Sequence, residues 1–108
     1  ILTGRRQERL QQLADELSAN VPVHTAAFDV RDREAVFAAI EALPADFQQI
    51  DILINNAGNA HGMATFQDGS LEDFEAMLDI NVKGLIYVSK AVLPGMIARK
   101  AGQVINLG

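Results

Sequence analysis

Cysteine is absent from the 108 residues. The chain therefore has no disulfide framework and no thiolate metal site, and it fits a reducing compartment such as the cytoplasm. Proline is scarce, with three residues, and glycine is held to eight, while 49% of the chain is apolar and 21% charged. That balance excludes a disordered tail or a collagen-like repeat and describes one globular domain, or part of one. Positive charge is also in deficit: nine basic against fourteen acidic residues leave a net charge of −5. A phosphate backbone is repelled by such a surface, so nucleic acid is not an expected partner. A membrane span needs roughly 18 to 20 continuous apolar residues. The most apolar stretch, Ile80 to Met96, is interrupted by Asn81, Lys83, Ser89 and Lys90, so no membrane partner is expected either. The two histidines, His24 in a predicted strand and His61 in a predicted loop, lack ligand spacing to any other metal-binding group, and no metal is expected. His61 reads as a surface residue of a loop that borders a pocket.

The chain opens on Ile1-Leu2-Thr3-Gly4, without an initiator methionine or the basic and apolar regions of a signal peptide. It closes on Gln103 to Leu107, an apolar run after a glycine turn signal that reads as a buried strand. Both ends read as interruptions of a longer polypeptide, within one domain over residues 1–108.

Between them, apolar periodicity alternates between strand and helix. Ile1 to Thr3 is the end of a strand. Arg6 to Leu17 carries Leu10, Leu13, Ala14 and Leu17 at helical spacing. Val21 to Phe28 is a second strand, apolar on both faces as inside a parallel sheet. Asp32 caps a helix that runs to about Leu43, before Pro44, with Val36, Phe37, Ile40 and Leu43 as its buried stripe. Ile50 to Ile54 is a third strand, and Asn55 to Asp68 a glycine-punctuated loop. Ser70-Leu71-Glu72-Asp73 opens a further helix as a capping box, with a break expected near Asn81 to Gly84 before it ends at Lys100. Strands alternating with helices of this length imply right-handed crossovers and a parallel sheet in an α/β fold.

Four places carry chemistry. Thr3-Gly4-Arg5-Arg6 puts two guanidinium groups where a strand becomes a helix, at the strand end where doubly wound sheets bind ligands. Arginine forks match phosphate oxygens, and arginine at this position favours the 2′-phosphate of NADP over the ribose hydroxyl of NAD. The plainer reading is a pair of solvated arginines. Phe28-Asp29-Val30 ends the next strand, where a carboxylate accepts from an exocyclic amine and a neighbouring N–H donates to a ring nitrogen. Taken alone, Asp29 also suits a turn or a helix entry. Asn55-Asn56-Ala57-Gly58 is the most specific string: two amides stitch the strand end through main-chain hydrogen bonds, and Ala57-Gly58 lets a flat ligand approach the backbone. Asn81-Val82-Lys83-Gly84 is poor helix material, each of Asn, Val and Gly costing about 0.5 to 1 kcal/mol relative to alanine. A local distortion there exposes main-chain groups and orients a water or a side chain. The alternative is a helix–helix contact at Gly84 with Asn81 as a satisfied core amide. Tyr87 and Lys90 are spaced Tyr-x-x-Lys on a packing helix and read as core or interface and as solvated, not as an acid–base pair.

Together these strings resemble the NAD(P)-dependent short-chain dehydrogenases/reductases. Asn55-Asn56-Ala57-Gly58, Asn81-Val82-Lys83-Gly84, Asp29-Val30 and Val104-Ile105-Asn106 occur in that family's order and spacing over essentially the whole chain. Thr3 to Leu10, Ile50 to Leu53 and Ala91 to Met96 are similar to the NADP-dependent 3-hydroxy acid dehydrogenases, which act on serine, allo-threonine and related 3-hydroxy acids. The resemblance implies an oxidoreductase that passes a hydride between NADP and a small hydroxy or keto substrate. Arg5 and Arg6 would hold the 2′-phosphate, Asp29 and Val30 the adenine, and Asn55, Asn56, Ala57 and Gly58 the floor of the cofactor site. Asn81 matches the family's catalytic asparagine, whose distorted helix holds a water in a proton relay. The serine and the Tyr-x-x-x-Lys pair that complete that relay do not occur in these 108 residues, nor does the glycine-rich pyrophosphate loop. The alternatives are a 3-oxoacyl or other small-carbonyl reductase of the same family, or a non-catalytic dinucleotide-binding protein.

The implied fold is a Rossmann-type doubly wound parallel sheet, incomplete because its first strand and its C-terminal part are not in these residues. In the 3-2-1-4-5 order the first strand lies between the strand at Ile1 and that at Ile52, so two strand pairs should face an empty slot. On that basis the piece alone should neither fold stably nor turn over substrate. The apolar excess of the Val82 to Ile97 helix points to a homo-oligomer interface.

Overall fold

A computed structural model describes residues 1–60 and 62–107 of the chain. The expectation for His61 falls outside the described residues. Strand β1 (Leu2–Gly4) leads into helix α1 (Gln7–Leu17), strand β2 (Thr25–Ala27) and helix α2 (Arg33–Glu41). Strand β3 (Ile52–Asn55) follows a short 3-10 turn at Ala45–Phe47, and a second such turn at Phe66–Asp68 precedes helix α3 (Leu71–Leu78). A π-helical turn over Asp79–Lys83 joins α3 to helix α4 (Gly84–Arg99), and strand β4 (Gln103–Asn106) ends the order.

Local chemistry accounts for most of these boundaries. The Asp32 side chain accepts from the Ala35 N–H at 3.1 Å and caps α2. Ser70 does the same for α3, accepting from the Asp73 N–H at 3.1 Å. The break expected near Asn81 is the π turn: the Gly84 N–H donates to the carbonyl of Asp79, five residues back instead of four. Lys100 ends α4 in the left-handed conformation, φ 56°. There its N–H and that of Ala101 close onto the carbonyls of Ile97 and Met96, each at 3.1 Å.

The second strand is shorter than its apolar run. Pro22 has no N–H to give a ladder, and pairing begins only where the Leu2 N–H reaches the His24 carbonyl at 2.8 Å. Nor is β2 covered on both faces: Thr25 and Ala26 are half-buried and Ala27 is exposed.

The strands form two separate parallel pairs among the described residues, β1 with β2 and β3 with β4. Leu2 lies opposite Thr25, and Ile52 opposite Gln103. Among the described residues neither β1 nor β3 has a partner on its second edge, as expected of a doubly wound sheet without its central strand. Helix α1 lies against β1 and β2, whereas α4 lies against β3 and α2. The core is built mainly where α2 and its following turn meet α4: Val36, Leu43, Val92 and Met96 are buried, and Phe28 and Ile80 extend it. Phe37 and Ile40, the rest of the expected stripe, are half-buried.

On β3, Leu53 and Asn55 are half-buried, while Ile52 and Ile54 are each 57% exposed. One face of that strand thus has no helix over it. The helical stretch Leu71–Arg99, 29 residues long, is long and apolar enough by length and composition alone to cross a membrane. The same stretch supplies the buried Val92 and Met96 to the domain core.

Candidate functional site

The carboxyl ends of β1, β2 and β3 open onto one cleft of about 790 Å³ that continues down between the bare strand edges. Arg5, Asp29, Val30 and the segment Asn55 to Gly58 line its upper part, and Leu2, Ile52 and Ile54 its apolar base. Strand geometry explains the convergence. Each residue of the upper part ends a strand or is among the first after it, so the parallel strands deliver them to the same end. Arg5 and Arg6 are both exposed, and neither forms an ion pair among the described residues. Only Arg5 borders the cleft; Arg6 is the residue before the first turn of α1 and gives that helix no side-chain cap.

Asp29 is tightly held. Its Oδ1 accepts from the main-chain N–H of Arg31 at 2.9 Å. The Nε of Arg31 lies 3.1 and 3.0 Å from Oδ1 and Oδ2, and Nη2 donates to Oδ2 at 2.6 Å. The hydrogen bond from the Arg31 side chain keeps the Asp29 carboxyl below its ordinary value of 3.8, against the opposing effect of partial burial, and the charge of Arg5 adds to the depression. The carboxyl is therefore an ionised acceptor at neutral pH, next to the arginine that opens the cleft.

Val30 is set by a glycine on another element. A Cβ on the buried Gly84 would stand 2.6 Å from Cγ2 of Val30, so α4 can approach the β2 turn this closely only without a side chain at that position. The contact at Gly84 is thus between helix and strand end rather than between two helices.

Asn55 is bonded through its side chain as well as, as its position suggested, through its main chain. Its Nδ2 donates to Ser89 Oγ of α4 at 3.1 Å and to Asn106 Oδ1 of β4 at 2.9 Å. The main-chain stitch runs the other way, from the Leu107 N–H to the Asn55 carbonyl at 3.0 Å. Asn56, Ala57 and Gly58 are exposed to the cleft.

Asn81 sits in the π turn and clamps the far end of this loop. Its Oδ1 accepts from the Asn59 N–H at 2.8 Å, and its Nδ2 donates to the Asn59 carbonyl at 2.9 Å. It is neither a core amide nor a free side chain: it is exposed, with both amide atoms engaged by one main-chain unit. A Cβ at Gly58 would lie 3.2 Å from the same Oδ1, so the loop fits against Asn81 with little room to spare. Lys83, on the same turn, is drawn to Asp79 at 2.8 Å, and that hydrogen bond raises its pKa.

Tyr87 is half-buried and Lys90 exposed, in keeping with packing and solvated roles. His24 packs its ring on Phe47, with centroids 5.6 Å apart. Among the described residues no group of three His, Cys, Asp or Glu side chains is placed to hold a metal ion. Sequence reasoning missed Arg31, Asn59, Ser89 and Asn106. Arg31 was signalled by its place directly after the Asp-Val pair, and Asn106 by ending the strand that pairs with β3; nothing local marks Ser89 or Asn59.

The family model for short chain dehydrogenase matches residues 1–108. The NADP-dependent 3-hydroxy acid dehydrogenase YdfG of Shigella flexneri is 53% identical over 108 residues, covering 100% of this chain and 43% of that protein. Sulfoacetaldehyde reductase 2 of Chromohalobacter salexigens is 51% identical over 109 residues, with the same coverage of 100% and 43%. Among solved structures, serine dehydrogenase from Escherichia coli superposes with a TM-score of 0.91 at 52% identity, over 98% of this chain and 48% of that one. The closed form of serine dehydrogenase complexed with NADP+ gives 0.92 at 52% identity, over 98% and 42%. The chain spans less than half the length of the curated relatives it matches. It belongs to the short chain dehydrogenase family.

Proposed function

We propose that the whole protein is an oxidoreductase that transfers a hydride between NADP and the hydroxyl or keto group of a 3-hydroxy acid such as serine or allo-threonine. The observation that carries this reading is the convergence of Arg5, Asp29, Val30 and the Asn55 to Gly58 segment on one cleft at the strand ends. The residues fit one end of the cofactor. Arg5, with Arg6 beside it, presents a cation to a 2′-phosphate. Asp29 presents an ionised acceptor to an exocyclic amine, and Val30 an apolar wall to the face of the base. Ala57 and Gly58 add no side-chain bulk where a flat ring must approach the backbone. When bound, NADP supplies the carbon that takes up or returns the hydride, and the chain positions it.

Within that reaction Asn81 is a positioning residue. Its two bonds to Asn59 tie the loop after β3, which lines the upper part of the cleft, to the π turn, which in turn leaves main-chain groups of the helix outside the regular ladder. The identity of the relatives named as 3-hydroxy acid dehydrogenases supports the substrate class. The sulfoacetaldehyde reductase at 51% identity favours a second reading, reduction of another small carbonyl compound in the same site.

The protein is also assigned to the cytoplasm, which suits a cysteine-free chain. The same proposal makes it a homo-oligomer, from the exposed apolar stripe along α3, the π turn and α4, which includes Leu78, Val82, Ile86 and Ile97.

Dinucleotide affinity of the whole protein tests the cofactor assignment. Arg5→Ala with Arg6→Ala should weaken NADP binding by at least about tenfold, the worth of a lost charge-assisted hydrogen bond, and leave NAD binding nearly unchanged. Equal losses for both dinucleotides would sink the 2′-phosphate assignment.

A further inference from the structure

We infer that Arg31 is a specificity-determining positioning residue: it fixes the Asp29 carboxylate so that one acceptor direction is left for the amine of the bound base. The inference rests on the assignment of Asp29 to the adenine end of the cofactor. Arg31 brings three hydrogens to the carboxylate, from its main-chain N–H, from Nε shared between the two oxygens, and from Nη2. A carboxylate offers about four lone-pair sites. Room therefore remains for about one further donor, which is what an exocyclic amine brings with one of its N–H groups.

The pair has little to do for stability. Its side chains are 42% and 29% exposed, and it joins residues two apart in sequence, and ion pairs of that kind add little to folding. Its consequence is geometric. A lone aspartate at a strand end has two free torsions and turns to water, whereas this carboxylate is held from both the backbone and the fork of one residue. Val30, between the two, is packed against Gly84, so the Asp29-Val30-Arg31 unit is fixed on its apolar side as well. A base with a carbonyl in place of the amine meets an anion that is held in place and cannot turn away.

The test is binding of two dinucleotides to the whole protein, measured by calorimetry: NADP and its hypoxanthine analogue, in which the adenine amine is replaced by an oxygen. Arg31→Ala should weaken NADP by about tenfold, as for one hydrogen bond to a charged group, and change the analogue much less. Arg31→Lys, which restores the charge and a single donor, should recover part of the preference. A loss shared equally by both dinucleotides would mean that Arg31 acts through charge alone and would overturn the inference. Asp29→Asn separates the two readings. If it removes the preference while Arg31→Ala leaves it intact, Asp29 reads the base but Arg31 does not position it. If Asp29→Asn itself leaves the preference intact, the adenine assignment fails and the inference fails with it.

Discussion

At the scale of single residues, the asparagines of this chain act through their partners. Asn81 has the donor and acceptor of a primary amide matched to the N–H and C=O of one residue, Asn59, a fit that neither aspartate nor leucine reproduces. Asn81→Ala should lower kcat/KM of the whole protein between about fivefold and about 150-fold, from two neutral hydrogen bonds at about 0.5 to 1.5 kcal/mol each. Steady-state kinetics check this, and an unchanged kcat/KM would remove the clamp from the mechanism. The residue was legible in the sequence because asparagine, valine and glycine together break helical propensity. Its partner was not, since Asn59 lies 22 positions away and only the return of the loop onto the π turn brings them together. Arg31 is the opposite case: its contact is local, two residues along the chain, and is written in the string Asp29-Val30-Arg31 itself.

Elements show a different balance. The helix α3, π turn and α4 form one stretch of 29 residues, and its apolar residues lie on more sides than a single core needs. Val92 and Met96 are used against the rest of the domain, while Leu78 at 56%, Val82 at 48%, Ile86 at 48% and Ile97 at 71% exposure are not. Leu78, Val82 and Ile86 follow one another at intervals of four, which places them along one side of the helical stretch. Ile86→Lys should therefore shift the whole protein toward monomer, as read by sedimentation velocity, with the melting temperature of the monomer little affected because the side chain is half exposed. An unchanged assembly would move the interface elsewhere. Strand ends were less legible than helices. The run Val21 to Phe28 is mostly apolar, yet only Thr25–Ala27 is ladder, because pairing needs donors and register as well as apolar side chains.

For the molecule as a whole, size and surface disagree with a self-sufficient domain. The radius of gyration is 15.6 Å, against about 13 Å for a compact chain of this length. The accessible surface is 7679 Å², against about 5,900 Å² for a folded protein of this mass. Among the described residues the excess sits at identifiable places: the bare face of β3 with Ile52 and Ile54, the unpaired edges of β1 and β3, and the helix stripe. Residues 1–108 expressed alone should consequently unfold without a cooperative transition, as followed by circular dichroism and calorimetry. A sharp, two-state melt would show that the two strand pairs hold together without a strand between them.

Local sequence determined what local physics controls: the caps at Asp32 and Ser70, the π distortion around Asn81, the alternation of strand and helix, and the strand-end strings at Arg5, Asp29 and Asn55. These follow from propensity and periodicity, which act over a few residues. Tertiary structure alone decided which strings meet. It put Asn55 on Ser89 and Asn106, Asn81 on Asn59 and Gly84 on Val30, and it left Arg6 outside the cleft that Arg5 borders. Such pairings depend on strand order and on the handedness of crossovers, and two residues that meet across a fold leave no periodic trace in the chain between them.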